Sequence, residues 1–316
     1  MPATLGENDP VNVSAELVGE VDLDGIVLVV ANDAARSSFT VSSLGGVMAV
    51  DANVRPLGRW KRVAPGRGSH ATAPSRGLAL LSGRDAVVLV GPAGDVVWSY
   101  PHRRWADYEA GCTWFDRTGQ PYAVVPGDSS DRCVVVRFDI ESGRPLAGVP
   151  IRADEPAGIS PIHHRDGWVG LSEGEGQDAA RAWWVRSTGQ RDGVDGLEVL
   201  DAGWDDWVLC DVDRSGSKII TVPHGCPGPL VVRSFPDLQA VRAVESPDDE
   251  HGWDHTACFA GEMIVSRLYG THDRIVAVDP AGTVHDLHLG GDDLIPAAAD
   301  SWLTVTRTSI RRYKLT

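Results

Sequence analysis

Histidines and carboxylates recur at matching places along this chain, and they are the residues with chemistry to offer. His70 and His255 each open a strand-like run, HATA and HTACFA. His255 ends the tripeptide Trp253-Asp254-His255. The spacing Trp-x-(Asp/His) returns at Trp204-Asp205-Asp206 and at Trp105-Ala106-Asp107, with Glu109 close behind. An imidazole can act as a general base when a neighbouring carboxylate holds its tautomer. In that reading His255 is the base, and Asp206, Glu173 and His70 orient it or hold a metal. Imidazole with carboxylate suits Zn, Mn or Fe, and carboxylates alone suit Ca or Mg. His255, His70 and His224, with Glu173 or Asp128, are therefore candidate ligands for a divalent ion. Trp105, Trp204 and Trp253 supply aromatic walls, and Asp107, Glu109, Asp254, Arg84 and Tyr269 supply polar contacts. A small aromatic or cationic molecule fits such a setting. No HExxH, CxxC or GxSxG motif fixes any of these roles.

Each residue type also has a packing role. A Trp ahead of a strand can wedge between sheets. An Asp after it can cap a turn through its own backbone. A repeated His can bond within its own unit. Trp-rich surfaces also serve as protein contacts. Two functions stay open on these grounds: an enzyme of lyase or isomerase type, and a non-catalytic scaffold for a protein partner.

The elements that position these residues form a repeat. His255–Leu287 reads as four short strands, HTACFA, MIVSRL, RIVAVD and TVHDLHL, broken at Gly261-Glu262, YGTHD and Pro280-Ala281-Gly282. Laid on His70–Tyr100, the leading His, the first turn and the PAG turn coincide with a two-residue gap. A recurring four-stranded unit is the blade of a β-propeller. The chain divides into blades near 25–64, 70–101, 110–152, 157–201, 206–246 and 254–289. The seventh combines 294–316 with an orphan strand at 12–21, and residues 1–10 form a loose tail. The expected fold is all-β, one domain, a seven-bladed propeller closed by the N-terminal strand. Loops entering each first strand, and those between second and third strands, ring one mouth. The entry loops carry Glu20 and Asp22, His70, the three Trp motifs, Asp154-Glu155 and Asp292-Asp293. The second set carries Arg84, Asp128, Glu173 and Glu175, His224 and Cys226, Tyr269 and His272, and Arg307.

GDVVWSYP (94–101) and VVVRFDIESGRPLAGVPI (134–151) resemble quinoprotein-type repeats, and the whole chain resembles the broad β-propeller superfamily with quinoprotein-like or WD40-like repeats. The adjacent cysteine pair of the pyrroloquinoline-quinone enzymes is absent, so that cofactor is not carried over, and no nucleotide is expected.

Composition narrows the rest. A net charge of −15 disfavours nucleic acid and anionic membrane as partners. Five cysteines without a CxxC pair read as reduced, buried thiols. The N-terminus lacks a basic and an apolar region, and no apolar run spans a bilayer, which points to the cytoplasm. His163-His164 reads as surface on the opposite face, and SEGEGQD (172–178) as a solvated loop, with a calcium loop as the alternative. Trp183-Trp184 should send one ring to each side of its sheet. IRRYKL reads as an outer edge guarded by charge.

Overall fold

The computed structural model describes residues 13–23, 27–33, 37–43, 46–60, 68–107, 109–128, 133–153, 159–173, 180–191, 194–204, 206–225, 228–289, 293–297 and 300–316. The expected tail at 1–10, and Asp154, Glu155, Glu175, Asp205, Cys226 and Asp292, lie outside these residues, as does most of 172–178.

Seven antiparallel sheets of four strands each follow one another along the chain. After β1 (Ala15–Asp22), blade 1 holds β2 (Val27–Asn32), β3 (Ser38–Ser43), β4 (Gly46–Asp51) and β5 (Pro56–Trp60). Blade 2 holds β6 (Ala71–Ala73), β7 (Leu78–Ser82), β8 (Ala86–Val90) and β9 (Val96–Pro101). Blade 3 holds β10 (Thr113–Phe115), β11 (Pro121–Pro126), β12 (Cys133–Phe138) and β13 (Pro145–Ile151). Blade 4 holds β14 (Ser160–His163), β15 (Val169–Glu173), β16 (Arg181–Arg191) and β17 (Val194–Asp201). Blade 5 holds β18 (Trp207–Val212), β19 (Lys218–Pro223), β20 (Leu230–Ser234) and β21 (Ala240–Val244). Blade 6 holds β22 (His251–Ala260), β23 (Met263–Gly270), β24 (Arg274–Val278) and β25 (Val284–Leu289). Blade 7 holds β26 (Asp293–Pro296), β27 (Ser301–Val305) and β28 (Ser309–Leu315), completed by β1. First strands touch their neighbours around the axis, β14 to β18, β18 to β22 and β22 to β26, whereas fourth strands such as β5 and β21 are largely exposed. β14 also comes within 8 Å of β2, so the axis is narrow there.

The period of two explains why the blades stack. Along β7 and β8, Leu80, Val87 and Leu89 pack with Phe115, Val125 and Phe138 toward blade 3. The alternate residues Ala79, Leu81, Val88 and Val90 pack with Val47, Ala49 and Trp60 toward blade 1. Both faces of a sheet are thus buried, and each large apolar side chain contributes about 1.5–3 kcal/mol. Trp183 and Trp184 follow the same rule: Trp183 joins the cluster with blade 3 and Trp184 the cluster with blade 5. Buried polar contacts tie blades together nearer the axis. Thr40 bonds Thr72 at 2.8 Å, Thr113 Oγ1 donates to the Leu80 carbonyl at 2.9 Å, and the Phe259 amide donates to Asp211 at 2.8 Å.

Two expectations are corrected. His163 and His164 are buried, not on the surface. His164 donates through Nε2 to the Gly216 carbonyl at 2.6 Å and packs on Phe235, both supplied by blade 5. IRRYKL is not an open edge, because β1 covers it. Glu16 lies opposite Lys314 and Glu20 opposite Arg311, and both pairs form ion pairs at 3.1 and 2.7 Å. The charges of β28 thus match the register of closure. Among the described residues no helix is long and apolar enough to cross a membrane.

Candidate functional site

The first strands of blades 5 and 6 are both bulged, and the bulges face each other. In blade 6, Trp253 pairs with Leu268 and Ala257 pairs with Ser266. Asp254, His255 and Thr256 therefore stand opposite Arg267 alone. In blade 5, Leu209 pairs with Thr221 and Asp211 with Ile220, which leaves Cys210 as the extra residue. The Cys210 thiol donates to the His255 carbonyl at 3.4 Å and joins the two bulges. Bulges re-aim side chains, and here they turn Asp254 and His255 toward the mouth.

Asp206 lies just ahead of β18 with φ +69°, a left-handed conformation that Asp tolerates better than most residues. Two backbone bonds hold it there. Its amide donates to Ala180 O at 3.0 Å, and its carbonyl accepts from the His224 amide at 2.9 Å. The His224 side chain is buried, with Nδ1 3.4 Å from Asp206 Oδ1 but not aligned for a hydrogen bond. The His224 ring stacks on His255, centroids 5.0 Å apart and planes 23° from parallel. Burial lowers the His255 pKa, and the adjacent His224 adds to this, while Asp254 and Asp206 oppose it. With a value below the ordinary 6.5, His255 is neutral at pH 7.

Asp254 Oδ1 accepts from the His255 amide at 2.7 Å, and Asp254 also faces Arg267 Nη1 at 3.3 Å. Arg267 reaches Asp293 at 3.7 Å and bonds closely to Asp273. Burial works against the Arg267 charge, but the three carboxylates outweigh it and raise its pKa. Burial pushes the Cys210 thiol up, with Asp211 and Asp254 adding to the effect, so it stays protonated.

The mouth of blades 5 to 7 thus gathers Asp206, His224, Asp254 and His255. It adds Arg267 and Cys210, which the sequence reading passes over. Arg267 is the one charge inside the apolar run MIVSRL, and that is the signal that could have found it.

The other expected site residues stand elsewhere. His70 is buried, and its Nδ1 accepts from the Ser82 amide at 3.1 Å within its own blade. Trp253 is 2% exposed, donates Nε1–H to Val244 O at 3.0 Å, and wedges blade 6 against blade 5. Trp105, 3% exposed, packs in the cluster of blades 3 and 4. Its ring lies 2.9 Å from where a Cβ on Gly111 would stand, so only glycine fits there. Trp204 is partly buried with the Arg233 guanidinium 4.7 Å over its ring. These rings fill space between blades, as sheet packing demands. Arg84 pairs with Asp107 on the blade 2 side, and Glu109 accepts from the Ala106 amide at 2.8 Å within its own loop. Tyr269 is exposed and covers Gly252. Glu173 is buried at the end of β15 and Asp128 is exposed beyond β11. Among the described residues no three His, Cys, Asp or Glu side chains are grouped to hold a metal ion.

No protein-family model matches the chain, and no curated protein matches it. Among solved structures, the β-propeller domain of Cps50 (Swd1) from Myceliophteria thermophila superposes with a TM-score of 0.59 at 11% identity. That match covers 94% of this chain and 100% of that one. At such identity the likeness concerns the fold alone. The chain is a seven-bladed β-propeller of four-stranded blades, closed by its N-terminal strand.

Proposed function

We propose that this propeller is a binding scaffold that presents the mouth of blades 5, 6 and 7 to a protein partner. One observation carries the reading. The tryptophans that would wall a small-molecule cavity, Trp105 and Trp253, are spent on packing between blades. What stays exposed at the mouth is a polar rim: Asp206, Asp273, Asp293 and Tyr269. A rim of charges around an exposed aromatic is suited to a protein surface more than to an enclosed ligand. The test is capture with purified protein, followed by reconstitution with the recovered partner. The triple variant Asp206→Gly, Tyr269→Ala, Asp293→Ala should weaken that complex at least tenfold while keeping its Tm. Unchanged affinity would move the interaction off this mouth.

A second reading keeps chemistry here, and the His224–His255 stack is what favours it. A neutral, half-buried imidazole flanked by Asp254 and Asp206 is a suitable proton acceptor. Turnover of a small acidic-C–H or hydroxyl substrate that vanishes in His255→Gln would support it.

A further inference from the structure

We propose that Asp206, with His224 and His255 beside it, forms a docking site for an arginine side chain on a basic segment of the partner. This rests on the scaffold reading and names the chemistry that the mouth recognises.

Charge comes first. Asp254, Asp273 and Asp293 all share Arg267, the cation found among them. Asp206 takes no part in that network. Its side chain is 46% exposed, and among the described residues no Lys or Arg lies within 4 Å of it. It is a carboxylate with one oxygen toward His224 and room for a cation from outside. The chain's net charge of −15 adds long-range attraction for a basic segment.

A second observation concerns the imidazole beside that carboxylate. The His224 side chain is only 7% exposed, and its Nδ1 lies 3.4 Å from Asp206 Oδ1 without making a hydrogen bond. The Thr256 hydroxyl, next to His255 in the bulge, is likewise buried without a partner. Buried polar atoms left open beside a carboxylate mark a place where a polar group from elsewhere completes the set.

Shape favours guanidinium over the alternatives. Asp206 is clamped at φ +69° by bonds to Ala180 and His224, so its carboxylate is held in place before any ligand arrives. A carboxylate accepts the edge of a guanidinium through two parallel bonds. The planar cation also stacks on aromatic faces, and of the His224–His255 pair the His255 ring is the one left half-buried. An ammonium has neither feature. A divalent ion needs a donor set that the described residues do not assemble.

The probe is a fluorescein-labelled 12-residue peptide with four arginines, alongside its lysine and citrulline counterparts, read by anisotropy at 150 mM salt. The arginine peptide should bind at least fivefold tighter than the lysine peptide, and the citrulline peptide should not bind. Asp206→Asn retains the left-handed preference and should lose at least tenfold. Glu262→Gln, on an exposed turn at the other end of blade 6, should lose nothing. Equal binding of arginine and lysine, or equal losses in both variants, would reduce the effect to diffuse acidity and overturn the site. Absence of peptide binding also overturns it. If the triple mouth variant still loses its protein partner in that case, the scaffold reading stands without the arginine site. If the triple variant keeps its partner, the scaffold reading at this mouth falls on its own.

Discussion

Trp253→Ala separates a packing residue from a ligand wall by heat alone. The ring is 2% exposed, packed among Val208, Val222, Val244 and Leu268, and its indole N–H is bonded to Val244 O. Truncating a buried Trp costs about 3–5 kcal/mol. Unfolding entropy scales with length at about 2.1 cal/mol/K per residue, so the 316-residue chain has roughly 0.7 kcal/mol/K at its midpoint. Each kcal/mol then moves Tm by about 1.5 °C, and Trp253→Ala should lower it by about 4–7 °C. Trp253→Phe keeps most of the wedge and loses the bond to Val244, a cost of about 1–2 kcal/mol and about 2–3 °C. Differential scanning calorimetry of the three proteins at one pH is the assay. A wall residue would behave differently: alanine there would leave Tm within about 2 °C, since only bound ligand would feel the loss. A drop that small would refute the wedge.

Other expectations follow from the same contacts. Because His255 sits below its ordinary pKa, the unfolded chain takes up a proton that the folded chain resists. Stability therefore falls as pH drops through about 6.5, and Tm measured from pH 7.5 to 5.5 should decline less in His255→Gln than in the native protein. Asp206→Gly relieves the left-handed strain and should hold or raise Tm, whereas Asp206→Ala should cost about 1 kcal/mol by thermal melts. Glu16→Lys with Glu20→Arg sets like charges against Lys314 and Arg311. Surface pairs are weakened by solvent, so Tm should fall by no more than about 3 °C, and adding Arg311→Glu with Lys314→Glu should restore it.

How much of this is legible in the sequence depends on the range of the forces involved. The blades are legible because short apolar runs bounded by turn residues, as in Ala86–Val90, are local signals and every strand must bury two faces. The closure is legible because three strands at one end and one at the other leave no other pairing. The mouth is legible in part: Asp206, Asp254 and His255 lie near the starts of first strands, which the repeat aligns. The direction of Trp253 is not, because an aromatic ahead of a strand suits a wedge and a wall equally. The bulge at Asp254–Thr256 has no Gly or Pro to announce it, so Arg267 cannot be placed opposite it from sequence. The His163-His164 reading fails for a similar reason. The bond that buries His164 comes from Gly216, whose missing Cβ would lie 2.6 Å from His164 Nε2, and that contact spans 52 positions of chain.

The pairing of β1 with β28 also has a meaning in time. Ala15 meets Leu315, so β1 waits for a partner made 300 residues later. At about 5–20 residues per second that is roughly 15–60 s of synthesis. During this interval Leu17 and Val18 sit on a strand with no neighbour, a form prone to pairing with other chains. Glu16 and Glu20 then have an earlier duty than their ion pairs. They keep the waiting strand charged and soluble until Lys314 and Arg311 leave the ribosome and neutralise it.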